Sequence, residues 1–84
     1  MSRKLNNTET FLQDKFIRMK LADIRRSRGL TQKDVAERSG LSAATISNIE
    51  SGENSYTMRS LIMYAESLGY EISIKKREII DYKG

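Results

Sequence analysis

The sequence predicts a compact, mainly α-helical domain of four to five helices that ends in a short β-strand. Three observations carry this expectation. Apolar residues recur at helical spacing in four segments, each segment stops at a glycine (Gly29, Gly40, Gly52, Gly69), and beyond Gly69 the spacing changes to strict alternation. With 84 residues and no Cys, Pro or Trp, the chain reads as one small domain whose core draws on Ile, Leu, Met and Val. A core of that size leaves little stability to spare.

Residues 1–13 are mostly polar, with Leu5, Phe11 and Leu12 as isolated apolar points, and are expected to form a frayed terminus leading into a short helical turn. The helical domain is expected over 14–69. Its first helix runs from Asp14 to Arg28, because Ile17, Leu21 and Ile24 fall on one face and Gly29 follows; Arg18, Lys20, Arg26 and Arg28 occupy the other faces and are expected to meet solvent. Thr31 starts the second helix as an N-cap, with Asp34 three residues on to reach back to the exposed backbone amides. That helix buries Val35 and Ala36 and ends at about Ser39. Ser42 caps the third, which turns Ile46 and Ile49 inward and stops at Gly52. A connection as short as Gly40 to Ser42 forces a large angle between the two helices, since each must bury its own apolar edge against a third element.

The fourth helix spans about Thr57 to Leu68, with Met58, Leu61, Ile62, Ala65 and Leu68 as its apolar stripe. In 70–84, Tyr70, Ile72 and Ile74 alternate with Glu71, Ser73 and Lys75, the pattern of a half-buried strand, before a charged tail. One strand cannot satisfy its own backbone hydrogen bonds. It calls for a partner strand, and edge pairing with a second copy through Tyr70, Ile72 and Ile74 is one way to supply it.

Composition excludes several kinds of function. Without His or Cys there is no zinc finger, thiol nucleophile or imidazole acid/base catalyst, and no glycine loop of the Walker or dinucleotide type occurs, which argues against an enzyme. No cofactor, metal or small-molecule ligand is called for. Asp34 and Glu37 share a helical face, but one acidic pair without His reads as solvated surface. No stretch is apolar enough for a secretory signal or membrane span, so a cytoplasmic protein is expected. The formal charge is +4, and it is unevenly spread: residues 1–40 hold ten Lys/Arg against five Asp/Glu, residues 41–84 five against six. A basic first half suits a polyanionic partner.

Within this frame, "LADIRRSRGLTQKDVAERSGLSAATISNIESGENSYTMRSLIMYAESLG", residues 21–69, resembles the Cro/C1-type (XRE) helix-turn-helix family of phage repressors and their bacterial relatives. The ordered match R-x-x-x-G-L-T-Q, V-A, S-G-L-S, T-I-S-x-I-E-x-G is far more specific than any dipeptide in it. The resemblance implies a lambda-repressor-like helix-turn-helix domain whose third helix enters the major groove of double-stranded DNA. It implies outward-facing Ser42, Ala43, Ala44, Ser47 and Asn48 as base-contacting positions, with Asn48 the best candidate for a bidentate contact to adenine and the alanine methyls for thymine. It implies that Gln32, at the start of the second helix, takes a phosphate. Lys33, Arg26 or Arg28 are then expected to supply charge, with Asn54 and Tyr56 as neutral phosphate donors. Arg25 and Glu50 are implied to form a largely buried ion pair tying the first helix to the third.

Glu53 stands where Lys or Arg is common in the family, and no Lys or Arg lies between Arg38 and Arg59. Modest affinity per protomer and a shallow salt dependence are therefore expected. Three functions are compatible with the sequence: a DNA-binding regulator, expected to repress from a two-fold operator as a homodimer; an antitoxin resembling the HigA branch, which also binds a toxin protein; and a protein-interaction module without a DNA role.

Overall fold

A computed structural model describes residues 7–53, 55–74 and 76, with side chains from residue 10 onwards. Among these are four helices: α1 (Asn7–Ser27), α2 (Gln32–Ser39), α3 (Ala43–Ser51) and α4 (Met58–Ser67). The first begins seven residues ahead of Asp14, the expected start. The part of the expected lead-in that lies within the described residues, 7–13, is therefore helical through Phe11 and Leu12, while Leu5 lies outside them.

Both short helices begin as their sequences dictate. At α2 the Thr31 hydroxyl accepts from the Asp34 amide at 3.0 Å, while the Thr31 amide donates to Asp34 Oδ2 at 2.8 Å, a reciprocal capping box. At α3 the Ser42 Oγ accepts from the Thr45 amide at 3.0 Å. Thr57 caps α4 in the same way through the Ser60 amide. Helix α2 closes where Gly40, at φ +83°, donates its amide to the Ala36 carbonyl.

The core lies where the four helices meet. Val35, Ile46, Ile49 and Tyr64 are fully buried, joined by Leu21, Ala36, Leu61, Ala65 and Leu68. Ile17, Ile24, Leu30, Leu41, Tyr56 and Ile72 pack around its edge. Both α3 and α4 touch α1 and α2, so α3 is held from three sides.

Two expectations are corrected, and a third is not shown. Met58 does not belong to the α4 stripe: it is 62% exposed, and Tyr64 takes the buried position. Helical spacing explains this, since Tyr64 follows Leu61 by three residues and precedes Leu68 by four, whereas Met58 sits in the first turn beyond the body. Arg18 does not face solvent, for reasons given below. No strand forms among the described residues. Ile72 reaches the core edge, but Tyr70 is half exposed, Ile74 is fully exposed, and no second strand is present to complete a ladder. Lys75 and residues 77–84 lie outside the described residues. Among those described, no helix is long and apolar enough to cross a membrane, and no cluster of three potential metal ligands occurs.

The outer side of α1 is unusually apolar. Phe11, Leu12, Phe16 and Met19 are each about half exposed or more, and Leu12, Gln13, Lys15, Phe16, Ile17 and Met19 line a concavity of about 660 Å³.

Candidate nucleic-acid interface

Helix α3 divides cleanly into two faces. Ile46 and Ile49 are at zero exposure, while Ser42, Ala43, Ala44 and Ser47 are exposed and Asn48 is half buried. Apolar burial fixes the rotation of the helix, and that rotation sends the small side chains outward. Ser42 serves as cap and also shares a 2.9 Å hydrogen bond with the Thr45 hydroxyl.

Gln32 opens α2 next to the C-terminal part of α3, and the two are joined by a carboxylate. Glu50 Oε2 accepts from Arg25 Nε at 2.7 Å, and Oε1 accepts from Arg25 Nη2 at 2.9 Å, the planar two-pronged pairing that suits guanidinium and carboxylate. Gln32 Nε2 donates to Oε1 at 3.0 Å, and the Tyr64 hydroxyl donates to Oε2. Arg26, on the exposed side of α1, stands 4.0 Å from Oε1 and 3.4 Å from Asp23. One acidic side chain on α3 thus collects donors from α1, α2 and α4.

Burial pushes the Glu50 carboxyl towards its neutral form, but the hydrogen bonds from Arg25, Tyr64 and Gln32 outweigh it and hold the pKa below the ordinary 4.5. Bonding to Glu50 raises Arg25 above its usual value. Burial, then the same carboxylate, push the Tyr64 hydroxyl well above its usual value. The sign for Glu50 follows: its contribution to stability is complete above pH 4.5 and disappears as pH falls through the lowered native value. Acid titration followed by circular dichroism should therefore show stability declining below about pH 4.5. A Glu50→Gln variant should lose that acid dependence, and an unchanged acid limb would remove Glu50 as its source.

Arg18 forms a second connection. Its guanidinium is bonded to Asp14 Oδ2 at 2.9 Å and reaches the Ile49 and Glu50 carbonyls at 3.4 and 3.5 Å, at the end of α3. The Tyr56 hydroxyl donates to the other Asp14 oxygen, so α1 is tied to the segment entering α4. The sequence did contain a signal for this: Arg18 precedes Leu21 by three residues and Arg25 by seven, which places it on the buried face of α1.

Among the remaining predicted phosphate contacts, Lys33 is exposed on α2. Arg28 is committed elsewhere, donating to the Leu68 carbonyl at 2.7 Å and lying over the Tyr70 ring at 5.6 Å. Asn54 lies outside the described residues. The structure therefore brings Arg25, Arg26, Gln32 and Glu50 together and leaves Arg28 at the end of α4. Tyr64 completes this cluster through its hydroxyl, a contact that helical spacing within α4 does not reveal.

Two capped helices joined by three residues, the second turning a face of small polar and methyl groups outward, make this a helix-turn-helix domain. The chain belongs to the helix-turn-helix family of the Cro/C1 type, whose pattern it matches over residues 21–75. It is also 38% identical over 55 residues to an uncharacterised HTH-type transcriptional regulator, y4dJ, of Sinorhizobium fredii; the match covers 66% of this chain and 71% of that protein.

Proposed function

We propose that this protein is a transcriptional regulator that binds a specific duplex DNA sequence through α3, and that it represses from a two-fold operator as a homodimer. The observation that carries this reading is the two-faced burial of α3: a helix locked by Ile46 and Ile49 presents Ser42, Ala43, Ala44 and Ser47 where a major groove can receive them. In this reading Asn48 reads an adenine, Ser47 makes a short polar contact, and the two alanines meet thymine methyls. Gln32, Lys33 and Arg26 take phosphates. Arg28 and Tyr56 join them only by releasing Leu68 and Asp14, and Asn54 would contribute from the α3–α4 connection.

The test is a mobility shift with the DNA immediately upstream of the protein's own gene. Asn48→Ala should weaken that complex by about five- to 150-fold, the equivalent of about 1–3 kcal/mol, while leaving binding to a random duplex unchanged. With few phosphate contacts, each adding about −0.9 to the slope of log K against log salt, the slope should be shallow. A folded protein that gives no shift even at low salt sinks the DNA reading and leaves the protein-interaction module.

In the dimer, the alternating segment Tyr70, Ile72, Ile74 pairs edge to edge with its copy, which supplies the missing ladder. Ser73→Pro removes a ladder donor from the middle of that segment and should give a monomer by sedimentation. A Ser73→Pro variant that remains dimeric would move the interface elsewhere.

The exposed apolar side of α1 supports a second reading, an antitoxin that binds a toxin protein as well as its own operator. Leu12, Phe16 and Met19 are exposed together along one concavity, with Phe11 exposed nearby on the same helix, and exposed apolar groups of this kind mark protein contacts. Co-purification of the neighbouring gene's small product with the full chain would favour it, and a clean isolate from a strain expressing both genes would count against it.

A further inference from the structure

We infer that Tyr64 is a positioning residue for the DNA-phosphate contact of Gln32, acting through Glu50; this rests on the reading of Gln32 as a phosphate ligand. A carboxylate can only accept, so the amide facing Glu50 Oε1 at 3.0 Å must be turned with its nitrogen inward. That contact settles the two-fold ambiguity of the Gln32 amide. One N–H is spent on Glu50, and the second is held at a fixed angle to it, available at the first residue of α2 to a phosphate oxygen.

The orientation is only as fixed as the carboxylate. Arg25 grips it from one side through both oxygens, and the Tyr64 hydroxyl, from the fully buried ring on α4, holds Oε2 from another. With both in place the carboxylate plane cannot pivot, and Oε1 keeps facing Gln32. Without the hydroxyl, Oε2 loses a donor, the carboxylate can tilt about the Arg25 contact, and the Gln32 amide, though its nitrogen still faces Glu50, is no longer held at one angle. The core of α4 thereby reaches a surface side chain on α2 through a group on α3. A ring that only filled space would have no such reach.

Tyr64→Phe keeps the ring and leaves the Arg25–Glu50 pair intact, so the variant can be studied folded. With the upstream DNA as probe, Tyr64→Phe should weaken binding about three- to ten-fold, the scale of one lost hydrogen bond, and by the same factor on a random duplex because a phosphate contact carries no sequence information. In a Gln32→Ala background it should weaken binding no further. Without DNA, the two side-chain amide protons of Gln32 should have nuclear magnetic resonance shifts displaced from those of a free amide in the parent and move towards the free-amide values in Tyr64→Phe. Unchanged binding by Tyr64→Phe overturns the inference. So does an equal loss in both backgrounds, or an unmoved Gln32 amide pair, since a merely structural tyrosine would produce either. If Gln32→Ala alone binds both DNAs as tightly as the parent, the phosphate reading of Gln32 fails first and takes the inference with it.

Discussion

Glu50→Ala is expected to unfold the domain at ordinary temperatures. The substitution removes the acceptor for Arg25, Tyr64 and Gln32 at once. Arg25 is only 8% exposed and keeps its charge, so the guanidinium would be left buried with the Leu30 carbonyl, 2.7 Å from Nη1, but without its counter-charge. Breaking one side of a buried pair costs about 3–5 kcal/mol. Whole domains are stable by about 5–15 kcal/mol, with small ones at the lower end, so most of the margin would be spent. Urea and thermal denaturation followed by circular dichroism would read the loss directly. Normal melting combined with lost DNA binding would instead make Glu50 a surface determinant and refute its role as the junction of the four helices.

Gly52→Ala should destabilise by about 2–4 kcal/mol, and the reason is Arg18. Gly52 has φ +70°, and a side chain in that left-handed region costs about 1–2 kcal/mol by itself. A Cβ there would also lie 2.5 Å from Arg18 Nη1 and 2.7 Å from its Cζ. The end of an arginine can usually swing away, but this guanidinium is bonded to Asp14 and reaches the Ile49 and Glu50 carbonyls. Displacing it gives up hydrogen bonds to charged groups, worth about 1.5–3 kcal/mol each at most. Gly29 supplies the control: its φ is +71°, yet a Cβ there meets nothing within 4 Å. Gly29→Ala should therefore show the backbone cost alone. Equal melting-temperature losses at the two positions would mean that Arg18 moves aside freely.

Much of the fold was legible because its signals are local. Thr31 with Asp34, and Ser42 with Thr45, specify helix starts within a few residues, and the starts and stops of α2 and α3 follow from them. The burial of Ile46 and Ile49 was legible for the same reason, since helical spacing alone puts them on one side. The misses are long-range or depend on where an element runs out of neighbours. Met58 fits the stripe by period, but the body ends before it reaches the core. Arg18 looks like a solvent-facing cation until the α3 carbonyls and Gly52, more than thirty residues away, are brought against it. Tyr64 could be assigned to the core or its rim by spacing, yet nothing local says that its hydroxyl meets Glu50. The alternating segment from Tyr70 carries only half of what makes a strand, because a strand is held by a ladder that needs a second strand.

The division of α3 into a locked side and a projecting side also bears on how such a protein can change over generations. The residues that hold the helix, Ile46, Ile49 and Glu50, are not those exposed at its surface, Ala43, Ala44 and Ser47. Replacing the exposed alanines with longer polar side chains opens no cavity and breaks no buried bond. In the proposed DNA reading, target preference can then drift at these positions with little effect on folding, and the same positions offer a compact alphabet for redesign.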